Sequence, residues 1–267
     1  MNIAQALAQA HALGVDRLDA QLLLAHELGQ GRAWLIAHDD LPLNSPAQQA
    51  YLAALAQRLA GVPVAYLVGE KEFFGLRLSV TPDVLVPRPE TEGLVEWALE
   101  LLPAGPGVQG VPGVQETHGP GVVDLGTGSG AIALALARHA ARTAVVATDA
   151  SAAALAVART NAARHGLTVE FVHGDWWAPL AGRRFDLAVA NPPYVAGDDP
   201  HLNALAHEPR GALTPGGDGL AALRQIVNGA PGHLTPGAWL LLEHGHDQAG
   251  AVCELLRLRG FDRISLF

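Results

Sequence analysis

The sequence predicts an α/β fold: a mainly parallel sheet covered by helices on both faces, joined through a β-hairpin linker to a small N-terminal all-helical domain. Three observations carry that prediction. Residues 1–62 repeat apolar side chains at helical spacing and hold few β-branched residues. From residue 122 onward, short apolar runs alternate with helical patterns, as strand–helix–strand units of a buried parallel sheet require. Between them, Phe73–Val80 reads as two short extended runs turning at Gly75.

In the helical domain, Asp16 is placed to cap the run Leu18–Leu28, which carries leucines on one face. Ser45 followed by Pro46 predicts an N-cap and first-turn pair for a helix ending near Gly61. Three basic against five acidic residues leave this stretch at about −2, so it is not a basic arm. Residues 63–86 are assigned to the hairpin linker and 87–267 to the α/β domain. Pro87-Arg88-Pro89-Glu90-Thr91-Glu92 opens a helix reaching about Leu102, and residues 104–121, rich in Gly and Pro, read as a flexible surface insertion. Strands are expected at 122–125, 144–148, 169–173, 185–190, 238–243 and 261–266, and helices at 130–140, 151–165, 218–229 and 247–259. Ligands of such sheets bind beyond the carboxyl ends of the strands. Gly126–Gly130, Asp149, Asp175 and Asn191 all follow strand ends and should converge on one crevice.

The first of these segments is a cofactor loop. Gly126, Gly128 and Gly130, interleaved with Thr127 and Ser129, form a G-x-G-x-G turn. Glycine admits positive φ and lets backbone approach a ligand, and the following helix directs N–H groups into the crevice. Asp149 closes the second strand, where a carboxylate can accept both hydroxyl protons of a ribose. Gly174-Asp175-Trp176 closes the third, offering a polar group for an adenine edge and an indole for its face. A dinucleotide fingerprint is spaced G-x-G-x-x-G, so the third glycine here comes one residue early. That spacing favours S-adenosylmethionine over a dinucleotide; a tight turn with no ligand is the bland alternative.

The second segment is Asn191-Pro192-Pro193-Tyr194, roughly sixty residues later, at the end of the apolar run Phe185–Ala190. An amide nitrogen is a poor nucleophile because its lone pair is delocalised, the same conjugation that gives amides a rotational barrier of about 18–20 kcal/mol. A site can help by gripping its N–H protons and holding it in attack geometry. The Asn191 side-chain oxygen and the Pro192 carbonyl can accept those protons. Pro192 and Pro193 stiffen the backbone and bring no N–H of their own, and Tyr194 offers a flat face to a planar group. No charged general base is nominated. An ordinary Asn-Pro turn is the alternative.

Other residues weigh less. Trp177 is as well explained by the core as by the cofactor. His244 and His246 form an H-x-H without a convincing third ligand, so no metal is expected. Glu90 and Glu92 suit a helix start and a pocket wall equally, and Asp198, Asp199 and His201 read as a solvated loop.

These motifs resemble the HemK/PrmC family, methyltransferases that modify glutamine in peptide chain release factors. The resemblance covers almost the whole chain: Phe73-Phe74, the segment Val86–Glu92, Asp124–Gly130, Asp149, Gly174–Trp176, Asn191–Tyr194, His207-Glu208-Pro209 and Leu242-Glu243-His244-Gly245. It implies a Rossmann-like class I S-adenosylmethionine-dependent methyltransferase domain. The implied reaction methylates the side-chain amide nitrogen of the glutamine in a Gly-Gly-Gln loop and leaves S-adenosylhomocysteine. By position, residues 126–130, Asp149, Trp176 and Asn191 would contact the cofactor and residues 191–194 the substrate glutamine, with Asn191, Pro192 and Tyr194 carrying catalysis. The helical domain would help dock the release factor. The family would continue past Phe267 into a final hairpin strand, so the expected sixth strand would lack its antiparallel neighbour.

Composition narrows the rivals. A net charge of −9 disfavours a broad phosphate-binding surface. That counts against an amino-group methyltransferase acting on DNA or RNA. The second rival is a non-catalytic protein that binds a translation factor. Cys253 is the only cysteine, which excludes an intrachain disulfide and a four-thiolate zinc site. No stretch approaches the roughly 18 apolar residues of a membrane span, and the N-terminus lacks a signal-peptide pattern. A cytoplasmic monomer with no membrane partner is the expectation.

Overall fold

The structure, a computed structural model, describes residues 1–102 and 119–266. The insertion expected over 104–121 therefore falls almost entirely outside the described residues. The chain divides into two compact units, one comprising Met1–Glu70 with Ala204–His207, the other Lys71–Asn203 with Glu208–Phe267.

The first unit is helical. Asn2 and Gln5 form a reciprocal capping box on α1 (Ile3–Ala12). The Asp16 carboxylate accepts from the Leu18 N–H at 2.7 Å and starts α2 (Arg17–Leu28), which ends on Gly29 in the left-handed conformation. After α3 (Arg32–Ala37) comes α4 (Ser45–Leu59). Its cap is Asn44, not Ser45. The Asn44 side chain accepts from the Ala47 N–H at 2.8 Å, which makes Ser45 and Pro46 the first two helical residues. Val64–Val68 adds α5, a short helix at the start of the stretch assigned to the hairpin linker. Ile3, Leu23, Leu24, Leu35, Tyr51 and Leu55 are fully buried together.

The second unit opens with the hairpin β1 (Glu70–Phe73) and β2 (Leu76–Ser79), turning through Phe74 and Gly75, both at positive φ. A 3-10 turn at Pro89–Thr91 leads into α6 (Glu92–Leu101). Then β3 (Gly121–Leu125), α7 (Ala131–His139), β4 (Ala144–Asp149), α8 (Ala152–His165), β5 (Glu170–His173) and β6 (Phe185–Ala190) alternate. After the one-turn α9 (Arg210–Leu213) come α10 (Ala221–His233), β7 (Leu234–Leu242) and α11 (Ala249–Leu258). The sheet order is β5-β4-β3-β6-β7 and every described pairing in it is parallel. This is the doubly wound α/β architecture expected for the domain.

Successive strand residues point to opposite faces, and the core divides accordingly. Val122, Leu187 and Val189 pack with Val95, Leu134 and Leu136 on one side. Val123, Leu125, Ala188 and Ala190 pack with Ile226 and Ala230 on the other. Trp177 belongs to the second core: its indole N–H donates to the Ile226 carbonyl at 2.8 Å and its ring stacks on His233. Gly229 makes room for it, because a Cβ there would sit 2.2 Å from the indole Cδ1.

The strand expected at 261–266 does not form; those residues pair with no described strand. Their place after a helical pattern suggested one more strand of the strand–helix alternation, but a strand needs a partner's backbone groups as well. Here the segment meets β7 through side chains, with the Arg263 guanidinium 5.1 Å from the Trp239 ring centre.

Candidate active site

Three crossovers deliver their turns to the carboxyl end of the sheet. At the end of β3 the backbone reverses through Gly126 (φ +77) and Gly128 (φ +56). The Gly126 and Thr127 N–H groups both donate to the Thr148 carbonyl at 2.9 Å, which ties the turn to the neighbouring strand. A side chain at 126 would place its Cβ 2.9 Å from the Trp176 ring, so glycine there keeps the indole against bare backbone. Gly130 has a different task. Its missing Cβ would lie 3.0 Å from Leu134 and 3.2 Å from Ala158, so it lets α7 pack closely against α8.

Asp149 ends β4. Its two carboxylate oxygens accept from the Gly128 and Ser151 N–H groups, each at 2.8 Å, and burial holds its pKa above the usual range despite those bonds. Each oxygen keeps a lone pair for a further donor.

These groups line one cavity of about 480 Å³, within the range that takes a nucleoside-sized ligand. Gly126, Thr127, Gly128, Ser129, Asp149 and Trp176 form one wall. Asn191, Pro193, Phe73, Arg88 and Thr91 line the cavity as well. Gly130, Pro192 and Tyr194 do not line it. Pro192 is buried, and the Tyr194 ring packs near Leu220, Leu223 and Val252 while its hydroxyl donates to Glu243 at 3.1 Å. Burial, aided by the Glu243 charge, pushes that phenol up to about 12. His244 lies in a separate groove beside β7, and among the described residues no cluster of three metal-ligating side chains occurs.

Two family models match this chain: the PrmC N-terminal domain over residues 2–69 and the methyltransferase small domain over residues 111–231. A release factor glutamine methyltransferase of Bordetella pertussis is 50% identical over 94% of this chain and 90% of its own length. This chain belongs to the release factor glutamine methyltransferase family. Another member, from Xylella fastidiosa strain Temecula1, is 49% identical over 96% of this chain and 90% of its own length. The fold is shared more widely. The hMettl16 catalytic domain, solved in complex with the MAT2A 3'UTR hairpin 1, is 16% identical, covers 82% of this chain and 74% of its own, and superposes with a TM-score of 0.54.

In this member of the family, several polar residues that sequence reasoning left without a role hold the site together. Asn161, fully buried in α8, accepts from the Ser79 N–H at 2.7 Å and donates to the Ser79 and Ser129 carbonyls. It thereby joins the hairpin to the glycine turn. Glu208 accepts from the Val86 N–H at 3.0 Å and pairs with Arg88. Thr91 and Glu243 form a chain with Asn191. Glu243 follows β7 as Asp149 ends β4; its place at a strand's carboxyl end and within Leu242-Glu243-His244-Gly245 were the sequence signals available for it.

Asp124, within β3, is fully buried. One of its oxygens accepts from the Thr127 hydroxyl at 2.6 Å and from the Ala133 N–H, in the first turn of α7, at 3.2 Å. Burial pushes this carboxyl from 3.8 up to about 7. Between those values the folded chain keeps a proton that the unfolded chain has lost, so this group's contribution to stability falls as pH rises from about 4 to 7. Asp124→Asn is expected to flatten that dependence. Denaturant midpoints at pH 5 and pH 7.5 check it: equal wild-type and variant slopes would contradict the shift.

Proposed function

We propose that this chain transfers a methyl group from S-adenosylmethionine to the side-chain amide nitrogen of the glutamine in the Gly-Gly-Gln motif of peptide chain release factors. The observation that carries the substrate is the near-full-length identity to release factor glutamine methyltransferases, which takes in the helical unit as well as the α/β domain. The chemistry is supported by the cavity, whose lining brings together a glycine turn, a strand-end carboxylate and an asparagine.

S-adenosylmethionine would supply an electrophilic methyl on a sulfonium. The residues that would hold it are Gly126–Ser129 by close backbone approach, Asp149 on the ribose hydroxyls, and Trp176 against the adenine, with Asn191 beside the reacting end. Asn191 and the Pro192 carbonyl would accept the two N–H bonds of the glutamine amide and turn its nitrogen toward the methyl. In that transfer the glutamine nitrogen would take the methyl as the S–CH₃ bond broke, leaving S-adenosylhomocysteine, and the nitrogen would release one amide proton to water. Pro193 and Tyr194 stiffen the loop that presents these acceptors. The unit Met1–Glu70 would dock the release factor, and the chain would work as a cytoplasmic monomer without nucleic acid or membrane.

The test is mass spectrometry of an unmethylated release factor incubated with this protein and S-adenosylmethionine. The expected result is one added methyl on the Gly-Gly-Gln peptide. No gain on that peptide, with methylation of exocyclic amino groups in DNA or RNA instead, would overturn the reading.

A further inference from the structure

Three side chains far apart in sequence meet beside the cavity, which two of them, Thr91 and Asn191, line. Thr91 ends the turn before α6, Asn191 follows β6 and Glu243 follows β7. The Thr91 hydroxyl donates to one Glu243 oxygen at 2.7 Å, and the Asn191 side-chain nitrogen donates to the Thr91 oxygen at 3.0 Å. The Tyr194 hydroxyl donates to the other Glu243 oxygen at 3.1 Å. Thr91 is only 4% exposed, and the Glu243 N–H donates to the Ala190 carbonyl at 3.0 Å, so both ends of the chain are anchored.

Counting protons settles which way the asparagine faces. A threonine hydroxyl has one proton, and here it is spent on Glu243. Its oxygen can then only accept, so only the NH₂ end of the Asn191 amide can face it. The amide oxygen is thereby turned away from Thr91. Were Thr91 to donate to Asn191 instead, the amide could rotate and present NH₂ to the acceptor. Two N–H groups would then oppose each other, and the attacking amide would have lost its acceptor.

We infer that Thr91 and Glu243 are positioning residues that hold the Asn191 amide with its oxygen toward the methyl-accepting amide. Glu243 fixes the direction of the Thr91 proton, and Thr91, together with the Glu243 carboxylate that Asn191 also bonds, fixes the orientation of Asn191. This deepens the function proposed above and rests on its assignment of Asn191 as the group that grips the substrate amide.

The experiment compares wild type, Thr91→Val, Thr91→Ser, Glu243→Gln and the double variant that combines Thr91→Val with Glu243→Gln. It measures kcat and KM for an unmethylated release factor, and cofactor affinity by calorimetry. Valine keeps the shape and loses the hydroxyl, and kcat is expected to fall about 10–100-fold with cofactor affinity within about threefold, as misaligned reacting groups give. Serine keeps the hydroxyl and should restore kcat to within about threefold of wild type. Glutamine at 243 offers Thr91 an NH₂ that can reverse the proton direction, and should cost kcat on a similar scale. The double variant should lose little beyond the worse single one, because both act through one chain. Wild-type kcat in folded Thr91→Val or Glu243→Gln, or a Thr91→Ser variant as slow as Thr91→Val, would overturn the inference. A wild-type protein that leaves the release factor unmethylated would instead overturn the proposed function, and this role with it.

Discussion

Asn191→Ala is expected to lower the rate of methyl transfer by about 10²–10³-fold, the usual consequence of removing one preorganised polar group from a reacting centre. The expectation follows from what the side chain does here. Its amide oxygen is the acceptor proposed for the substrate nitrogen, and its NH₂ bonds Thr91 and the Glu243 carboxylate. Alanine removes both and leaves the Thr91 hydroxyl still bound to Glu243, so no buried donor is orphaned and the fold should persist. Single-turnover methylation with saturating cofactor, alongside thermal unfolding, measures the two separately. A folded variant with the wild-type single-turnover rate would remove Asn191 from the mechanism.

The second large effect is expected from Gly219→Ala, at a residue outside the cavity lining. Gly219 sits at φ +76, where an added side chain costs about 1–2 kcal/mol. A Cβ there would also lie 2.2 Å from the Tyr194 carbonyl oxygen and 2.8 Å from the Gln248 side-chain nitrogen. That nitrogen donates to the same carbonyl at 2.9 Å. The Asn-Pro-Pro-Tyr loop must therefore move or break its tie to Gln248. Displacement of a reacting group by about 1 Å costs on the order of 10²-fold in rate, and the strain should lower the unfolding temperature by about 2–8 °C. Cofactor affinity should change little, since the glycine turn is untouched. Gly217→Ala supplies the control: its φ is +54 but no atom lies within 4 Å of its Cβ position, so it should show the backbone strain without the loss of rate. Equal activity in the two variants would contradict the steric argument.

Local chemistry was legible in the sequence, and long-range pairing was not. The runs that became β3, β4 and β6 are buried on both faces, and such strands read as continuous apolar stretches. The glycine turn and Asp149 were visible because each follows its strand directly. Asn191 was visible because its neighbours are prolines. Thr91 and Glu243 were quoted within motifs, but nothing local says that they meet each other or Asn191. Asn161 looked like any polar residue in a helix; only the fold shows two backbone segments reaching it. Ser45 and Asn44 are both good caps, and side-chain reach to the Ala47 N–H decided between them. Residues 261–266 failed for a related reason: their place after a helical pattern suggested a strand, and pairing depends on a neighbour that no local pattern names.

The separation of Thr91, Asn191 and Glu243 along the chain also bears on how activity is acquired. Contacts between residues so remote form late, because the loops they close must lose their entropy first. The glycine turn and Asp149 lie on β3 and β4, which are joined by a single crossover helix and pair directly. Glu243 arrives only with β7, the outermost strand on the far side. A nascent or partly refolded chain can therefore hold the cofactor wall before its reactive amide is oriented, and competence to react becomes a property of the finished sheet.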